Sequence, residues 1–205
     1  MTNNAPKILL NVGAGHPKSG ARIPDVFQSA EWKEVRLDID PANEPDVIGT
    51  MLDMSAVALG SVDALYSAHN IEHVYAHEVP LVLAEFLRVL KPSGVAVITC
   101  PDLQTVCALV ADNKLTDAAY NSEAGPIRPL DILYGHSAAL ATGNYFMAHK
   151  TGFTEKSLIQ ALQTAGFQSI ASKRRLSGLD LWMLASKTHL AQSEIRTFAS
   201  KVFPN

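Results

Sequence analysis

Three groups of residues in this chain have the types and spacing for chemistry. The first is the turn in "LLNVGAGHPKSG", residues 9–20. Gly13 and Gly15 permit backbone angles closed to other residues and let a ligand approach the main chain. A pyrophosphate would also want a helix N-terminus aimed at it. Pro17, Lys18, Ser19 and Gly20 delay any such helix and leave the fingerprint without its third glycine. The turn therefore suits close approach by a ligand better than it suits a pyrophosphate.

The second group is "RLDIDP". A carboxylate at the end of a second strand accepts hydrogen bonds from ribose hydroxyls. Asp38 is the better placed, with Asp40 competing. The plainer reading is an aspartate that opens a proline turn.

The third group is a set of histidines with polar aromatic neighbours. His69, His136 and His149 are candidate bases, because imidazole titrates near neutral pH. Tyr134, Asn144 and Tyr145 are candidates for orienting a substrate; the plainer reading of each is a solvated or packing residue. "HNIEHVYAHE" also places His69, His73 and His77 four apart with Glu72 between them. On one helix they would share a face and suit zinc or nickel. Pro80 suggests that the helix starts near His77, which breaks that register, so no metal is expected.

The elements that must position these groups are legible from period and punctuation. "KILLNV" (7–12), "EVRLDI" (34–39), "PDVIGT" (45–50), "SVDALYSA" (61–68) and "GVAVITC" (94–100) are short apolar runs, as strands covered on both faces should be. "DVFQSA" (25–30) is a weak helix. "EVPLVLAEFLRVL" sets Val79, Val82, Leu83, Phe86 and Leu90 at helical spacing, with Pro80 in the first turn and Pro92 past the end. "LQTVCALVAD" is helical, and "TEKSLIQALQTAG" runs from a Thr154 cap to a Gly166 stop. "FQSIASKRR" and "LDLWMLASK" read as two antiparallel strands. The sum is an α/β fold with a mainly parallel sheet and an antiparallel edge. Residues 1–205 form one domain, with an irregular, lid-like insert at about 112–150 where substrate contacts would lie.

Composition narrows the classes. Of 205 residues, 47% are apolar and 18% charged, with a net charge of -3, so there is no broad basic face for nucleic acid. No apolar run approaches the roughly 20 residues that span a bilayer. "MTNNAPK" lacks a signal-peptide pattern, and Cys100 and Cys107 are not spaced as a CxxC pair, so both are expected as buried thiols in a reducing cytoplasm. The tail "TFASKVF" (197–203) would cover a sheet edge or join a homodimer.

Taken together, "NVGAG", "RLDIDP", "SVDALYSAHNIEHV", "EFLRVLKPSGVAVITCPD" and "HKTGFTEKSLIQALQTAGF" resemble class I S-adenosylmethionine-dependent methyltransferases, nearest the type 11 group, over residues 7 to 187. The "EH…RVLKPSG" segment is the most specific part. The resemblance implies a Rossmann-like, mainly parallel seven-stranded sheet with an antiparallel last strand and helices on both faces. It implies S-adenosylmethionine as cofactor; the acceptor, methylated at oxygen or nitrogen, is expected to be a small molecule, with a lipid-linked sugar, a protein side chain and RNA left open. Asn11, Val12, Gly13, Ala14, Gly15 and His16 would form its methionine end, and Asp38 with Ile39 its ribose site. Met51 and Leu52 would flank the adenine, with Asp53 on the exocyclic amine and His69 beside the sulfonium. His136, His149, Tyr134, Asn144 and Tyr145 would face the acceptor.

Two departures stand out. Asn11 occupies a place that is often acidic in the family, and the third glycine is absent. They keep open a non-catalytic relative that binds cofactor. A NAD-dependent oxidoreductase shares the glycines and the ribose aspartate but should carry a Tyr-x-x-x-Lys pair, which the chain lacks.

Overall fold

The computed structural model describes residues 5–17, 23–122 and 125–204. Lys18, Ser19 and Gly20 lie outside the described residues. Seven strands form one sheet: β1 (Lys7–Val12), β2 (Trp32–Asp38), β3 (Val47–Ile48), β4 (Val62–Ala68), β5 (Leu90–Pro101), β8 (Ser169–Arg175) and β9 (Asp180–Ser186). Their order is β3-β2-β1-β4-β5-β9-β8. All neighbours pair in parallel except β9, which runs antiparallel to both β5 and β8. A small antiparallel hairpin, β6 (Tyr120–Ser122) with β7 (Gly125–Ile127), stands apart from the sheet.

The central strands β1, β4 and β5 are mostly apolar because both faces are covered. In β1, Leu9 joins one core cluster while Leu10 and Val12 join the other. On the first face lies helix α1 (Val79–Val89), which buries Val79, Val82, Leu83, Phe86 and Val89. Beside it lies α5 (Glu155–Ala165), capped by Thr154, whose Oγ1 accepts from the Ser157 N–H, and ended at Gly166 with φ 110°. Strand β5 starts at Leu90, four residues earlier than the apolar run suggests. Leu90 pairs with Val62 at the end of α1, and a register shift between Val62 and Ala64 absorbs the "KPSG" turn.

The second face differs from the regular β-α alternation that the sequence suggests. Among the described residues, the β1–β2 crossover holds only a 3-10 turn, Asp25–Phe27. The cover comes instead from the far end of the chain. Helix α6 (Gln192–Val202) turns Ile195, Ala199 and Val202 onto Leu9, Val95, Val97 and Leu184. Phe27 packs edge-on against Trp32 at 4.9 Å and Phe198 at 6.4 Å. The tail expected at a sheet edge or in a dimer thus covers a sheet face within its own chain, and its apolar residues no longer argue for a dimer.

Residues 112–150 are more ordered than their composition suggests. They hold the β6–β7 hairpin, α3 (Pro129–Tyr134) and α4 (Ser137–Ala141), after α2 (Leu103–Ala111). Asp131 organises the segment: its carboxylate accepts from Arg128 Nε at 2.8 Å and Nη2 at 2.9 Å and from the Ser137 N–H at 3.1 Å. The Arg128 guanidinium holds the Asp131 carboxyl well below the usual carboxylate range. Of the two cysteines, Cys100 is buried as expected, whereas Cys107 is exposed on α2; both are free thiols. No described helix is long and apolar enough to cross a membrane.

Candidate functional site

In an open parallel sheet the ligand crevice lies beyond the carboxyl ends of the strands, where the strand order reverses. Here the reversal falls between β1 and β4. A cavity of about 440 Å³ opens there, within the range of small-molecule sites. Its wall follows the strand ends in turn: Val12, Gly13 and Gly15 after β1, Leu37 to Asp40 after β2, Gly49 to Leu52 after β3, and His69 with Asn70 after β4.

The turn after β1 is tied down from several sides. Gly13 and Gly15 adopt φ of 64° and 63°, in the left-handed region. The N–H groups of Gly13 and Ala14 both donate to the Leu37 carbonyl, at 2.8 and 3.2 Å. A Cβ on Gly13 would lie 1.7 Å from Asn70 Nδ2, which donates to the Val12 carbonyl at 2.5 Å. Arg36 donates from Nη2 to the Gly15 carbonyl. Asp38 closes the arrangement, with 6% of its surface exposed. Its Oδ2 accepts from the Gly15 N–H at 2.8 Å; its Oδ1 accepts from the Asp40 N–H at 2.9 Å and from Asn43 Nδ2 at 3.0 Å.

The opposite wall is the end of the insert. Asn144, Phe146, Met147 and Lys150 line the same cavity. The chain returns to the core here: the N–H groups of Lys150 and Thr151 donate to the Glu72 carbonyl, at 2.8 and 3.2 Å. At Gly135, φ 103°, a Cβ would lie 2.0 Å from the Met147 carbonyl oxygen, so only glycine allows the two ends of the insert to meet.

A second cavity of about 260 Å³ adjoins the first and shares His69, His73 and Met147 with it. Glu72, Tyr120, Asp131, His136 and His149 also line it. His69 sits on the dividing wall with φ 50° and a half-exposed side chain. Its Nδ1 lies 3.5 Å from Glu72 Oε1 and its Nε2 3.7 Å from Asp180 Oδ2. Desolvation pulls the imidazolium down, but the Asp180 and Glu72 carboxylates outweigh it and raise the ring to about 9. Burial pushes the Glu72 carboxyl up, yet His69, with help from His73 and His149, brings it below its ordinary value. Burial also lowers His149, against a smaller opposing pull from Glu72.

Residues 23–98, a little over a third of the chain, match the family model of the type 11 methyltransferase domain. The chain has the class I methyltransferase fold. Solved structures agree over nearly all of its length. The 1,6-didemethyltoxoflavin N1-methyltransferase of Burkholderia thailandensis, solved with 1,6-didemethyltoxoflavin and S-adenosylhomocysteine, superposes with a TM-score of 0.56 at 19% identity, over 90% of this chain and 72% of that one. An S-adenosylmethionine-dependent methyltransferase of Archaeoglobus fulgidus gives 0.57 at 12% identity, over 88% and 86%. Among curated protein sequences none matches significantly.

Within this methyltransferase fold, the structure brings Val12, Gly13, Gly15, Asp38, Ile39, Met51, Leu52, His69 and Asn144 to the first cavity, and His136 and His149 to the second. It leaves others outside both. Asn11 Nδ2 donates to Glu34 Oε1 at 2.7 Å, between β1 and β2. Ala14 and His16 follow the turn without lining the cavity. Asp53, expected at the adenine amine, accepts from the Ser55 N–H at 3.0 Å and caps its own turn. Tyr134 and Tyr145 are 64% and 74% exposed and line neither cavity.

Several residues at the site escape a sequence reading. Asn70 and Asn43 are short polar residues in loops, with no motif to mark them. Asp180 reaches His69 from β9, with Arg175 donating to it at 2.8 Å from Nε and 2.5 Å from Nη2. No spacing rule links residues 69 and 180.

Proposed function

We propose that this chain is an S-adenosylmethionine-dependent methyltransferase acting on a small acceptor. The observation that carries this reading is the pair of adjoining cavities at the strand switch, one floored by Asp38 and the glycine turn, the other lined by histidines, with His69 between them. The residues suit the cofactor. Leu37, Ile39, Met51 and Leu52 give the first cavity an apolar lining of the kind that suits a base. Asp38 spends three hydrogen bonds on the turn, which leaves a carboxylate lone-pair direction for a ribose hydroxyl. Gly13 and Gly15 line the part of the cavity where the methionine end would lie. When bound, the cofactor supplies a methyl group already activated on a sulfonium.

The protein's remaining work is to align an acceptor, exclude water and take up a proton. His149 Nδ1 contacts the Ile132 carbonyl at 2.7 Å. A carbonyl only accepts, so Nδ1 carries the hydrogen and the Nε2 lone pair is left for another partner. A small acceptor suits a cavity of about 260 Å³, and the Burkholderia relative was solved with a small molecule bound. Two free thiols suit a reducing, cytoplasmic setting.

The test is a screen of hydroxyl- and amine-bearing metabolites against protein supplied with S-adenosylmethionine, read as S-adenosylhomocysteine release. Acceptor-dependent release is the expected outcome. Protein that binds S-adenosylhomocysteine tightly but releases none with any acceptor would instead fit a non-catalytic relative.

A further inference from the structure

We propose that Glu72, His73 and His149 form a binding site for a divalent transition-metal ion, open toward the second cavity, where the ion holds an acceptor through oxygen. The acceptor assignment rests on the methyltransferase reading; the metal site itself does not. Glu72 carries the argument. Its side chain is 1% exposed, and neither carboxylate oxygen has a hydrogen-bond partner. A buried carboxylate left this way is costly unless a cation meets it. The nearest charged contact, His69 Nδ1 at 3.5 Å, is longer than a charge-assisted hydrogen bond.

Two imidazoles face the same spot. His73 Nδ1 lies 3.1 Å from the Ala148 carbonyl and His149 Nδ1 lies 2.7 Å from the Ile132 carbonyl. Both rings are thus fixed in the tautomer that presents a bare Nε2. Metal-ligating histidines are commonly held this way, the other ring nitrogen donating to a carbonyl. The rings stand edge to face at 4.8 Å, and one ligand atom from each of the three residues lies within 4.8 Å of the others. Ligand bonds of about 2.0–2.2 Å in a tetrahedral set hold donors about 3.4 Å apart, so side-chain shifts of up to about one ångström close the set.

Two imidazoles and a carboxylate suit a borderline first-row ion such as zinc, and three protein ligands leave coordination positions open. Those positions adjoin His69, on the wall shared with the first cavity. This arrangement differs from the helical one that "HNIEHVYAHE" suggests. Ile71–His73 is a 3-10 turn, His77 lies outside the cluster and stacks on Tyr75 at 5.8 Å, and the third ligand comes from the insert.

Protein dialysed against a chelator is titrated with zinc in competition with a chromophoric chelator, alongside Glu72→Gln and His149→Ala. The expected result is one equivalent bound by the parent and a loss of about 100-fold or more in each variant. Absence of stoichiometric zinc binding, or equal binding in both variants, would overturn the site and leave Glu72 as a buried partner of His69. S-adenosylhomocysteine titration of the same samples reports folding and keeps the two claims separate. Zinc binding without nucleoside binding sinks the methyltransferase reading and with it the acceptor role. Nucleoside binding without zinc sinks the metal site alone. The open positions are probed with acetohydroxamate, a bidentate oxygen ligand, on cobalt-loaded protein. A shifted visible spectrum is expected; an unmoved one would make the site closed and structural.

Discussion

Asp38→Ala weakens S-adenosylhomocysteine binding by about tenfold or more, a loss of about 1.4 kcal/mol or greater. The carboxylate has two tasks at once. It accepts from the Gly15 and Asp40 N–H groups and from Asn43, which fixes the turn against the end of β2. It also offers a remaining lone pair to a ribose hydroxyl. Hydrogen bonds to a charged acceptor contribute about 1.5–3 kcal/mol each, and an orphaned buried donor adds its own desolvation cost. Alanine removes both the ribose partner and the partner of the Gly15 N–H. Asp38→Asn should fall between, because an amide keeps one acceptor oxygen and loses the charge. Isothermal titration of the three proteins decides the point. Parent-like affinity in Asp38→Ala would reduce Asp38 to a turn residue and remove it from the ribose site.

The largest effect on stability belongs to Phe86. It is fully buried in the middle of α1, within the larger core cluster that joins α1 and α5 to the sheet. Truncation of such a ring removes its transfer free energy and leaves a cavity that a close-packed interior only partly refills. Phe86→Ala should therefore destabilise the fold by about 3–5 kcal/mol, seen as a lower urea midpoint with little change in slope. A loss below about 1 kcal/mol would mean that the helix is not seated on the sheet as described.

What could be read in the sequence follows from how local the signal is. Strands β1, β4 and β5 declare themselves as apolar runs because both faces are covered, and α1 declares itself because Val79, Val82, Leu83 and Phe86 repeat at helical spacing. The glycine turn and Asp38 are legible because each stands at a strand end, where position in the fold follows from position in the chain. Asp53 is equally conspicuous, but its nearest donor is the Ser55 N–H two residues on, and a local turn took the carboxylate. Asn11 likewise finds Glu34 on the neighbouring strand. The cover on the second face could not be placed, since "TFASKVF" shows an apolar pattern without its partner. Ile195, Ala199 and Val202 fill a face that regular β-α alternation would cover with a helix after β1. The histidine cluster was half legible: Glu72 and His73 are adjacent in the chain, but His149 and Asp180 arrive only through the fold.

The central claim is that the cavity at the strand switch holds S-adenosylmethionine. Isothermal titration of the purified chain with S-adenosylmethionine, S-adenosylhomocysteine and NAD tests it most directly. Saturable one-to-one binding of both sulfur nucleosides, with no heat from NAD, is the predicted result. Binding of NAD in their place, or of none of the three, would contradict the account.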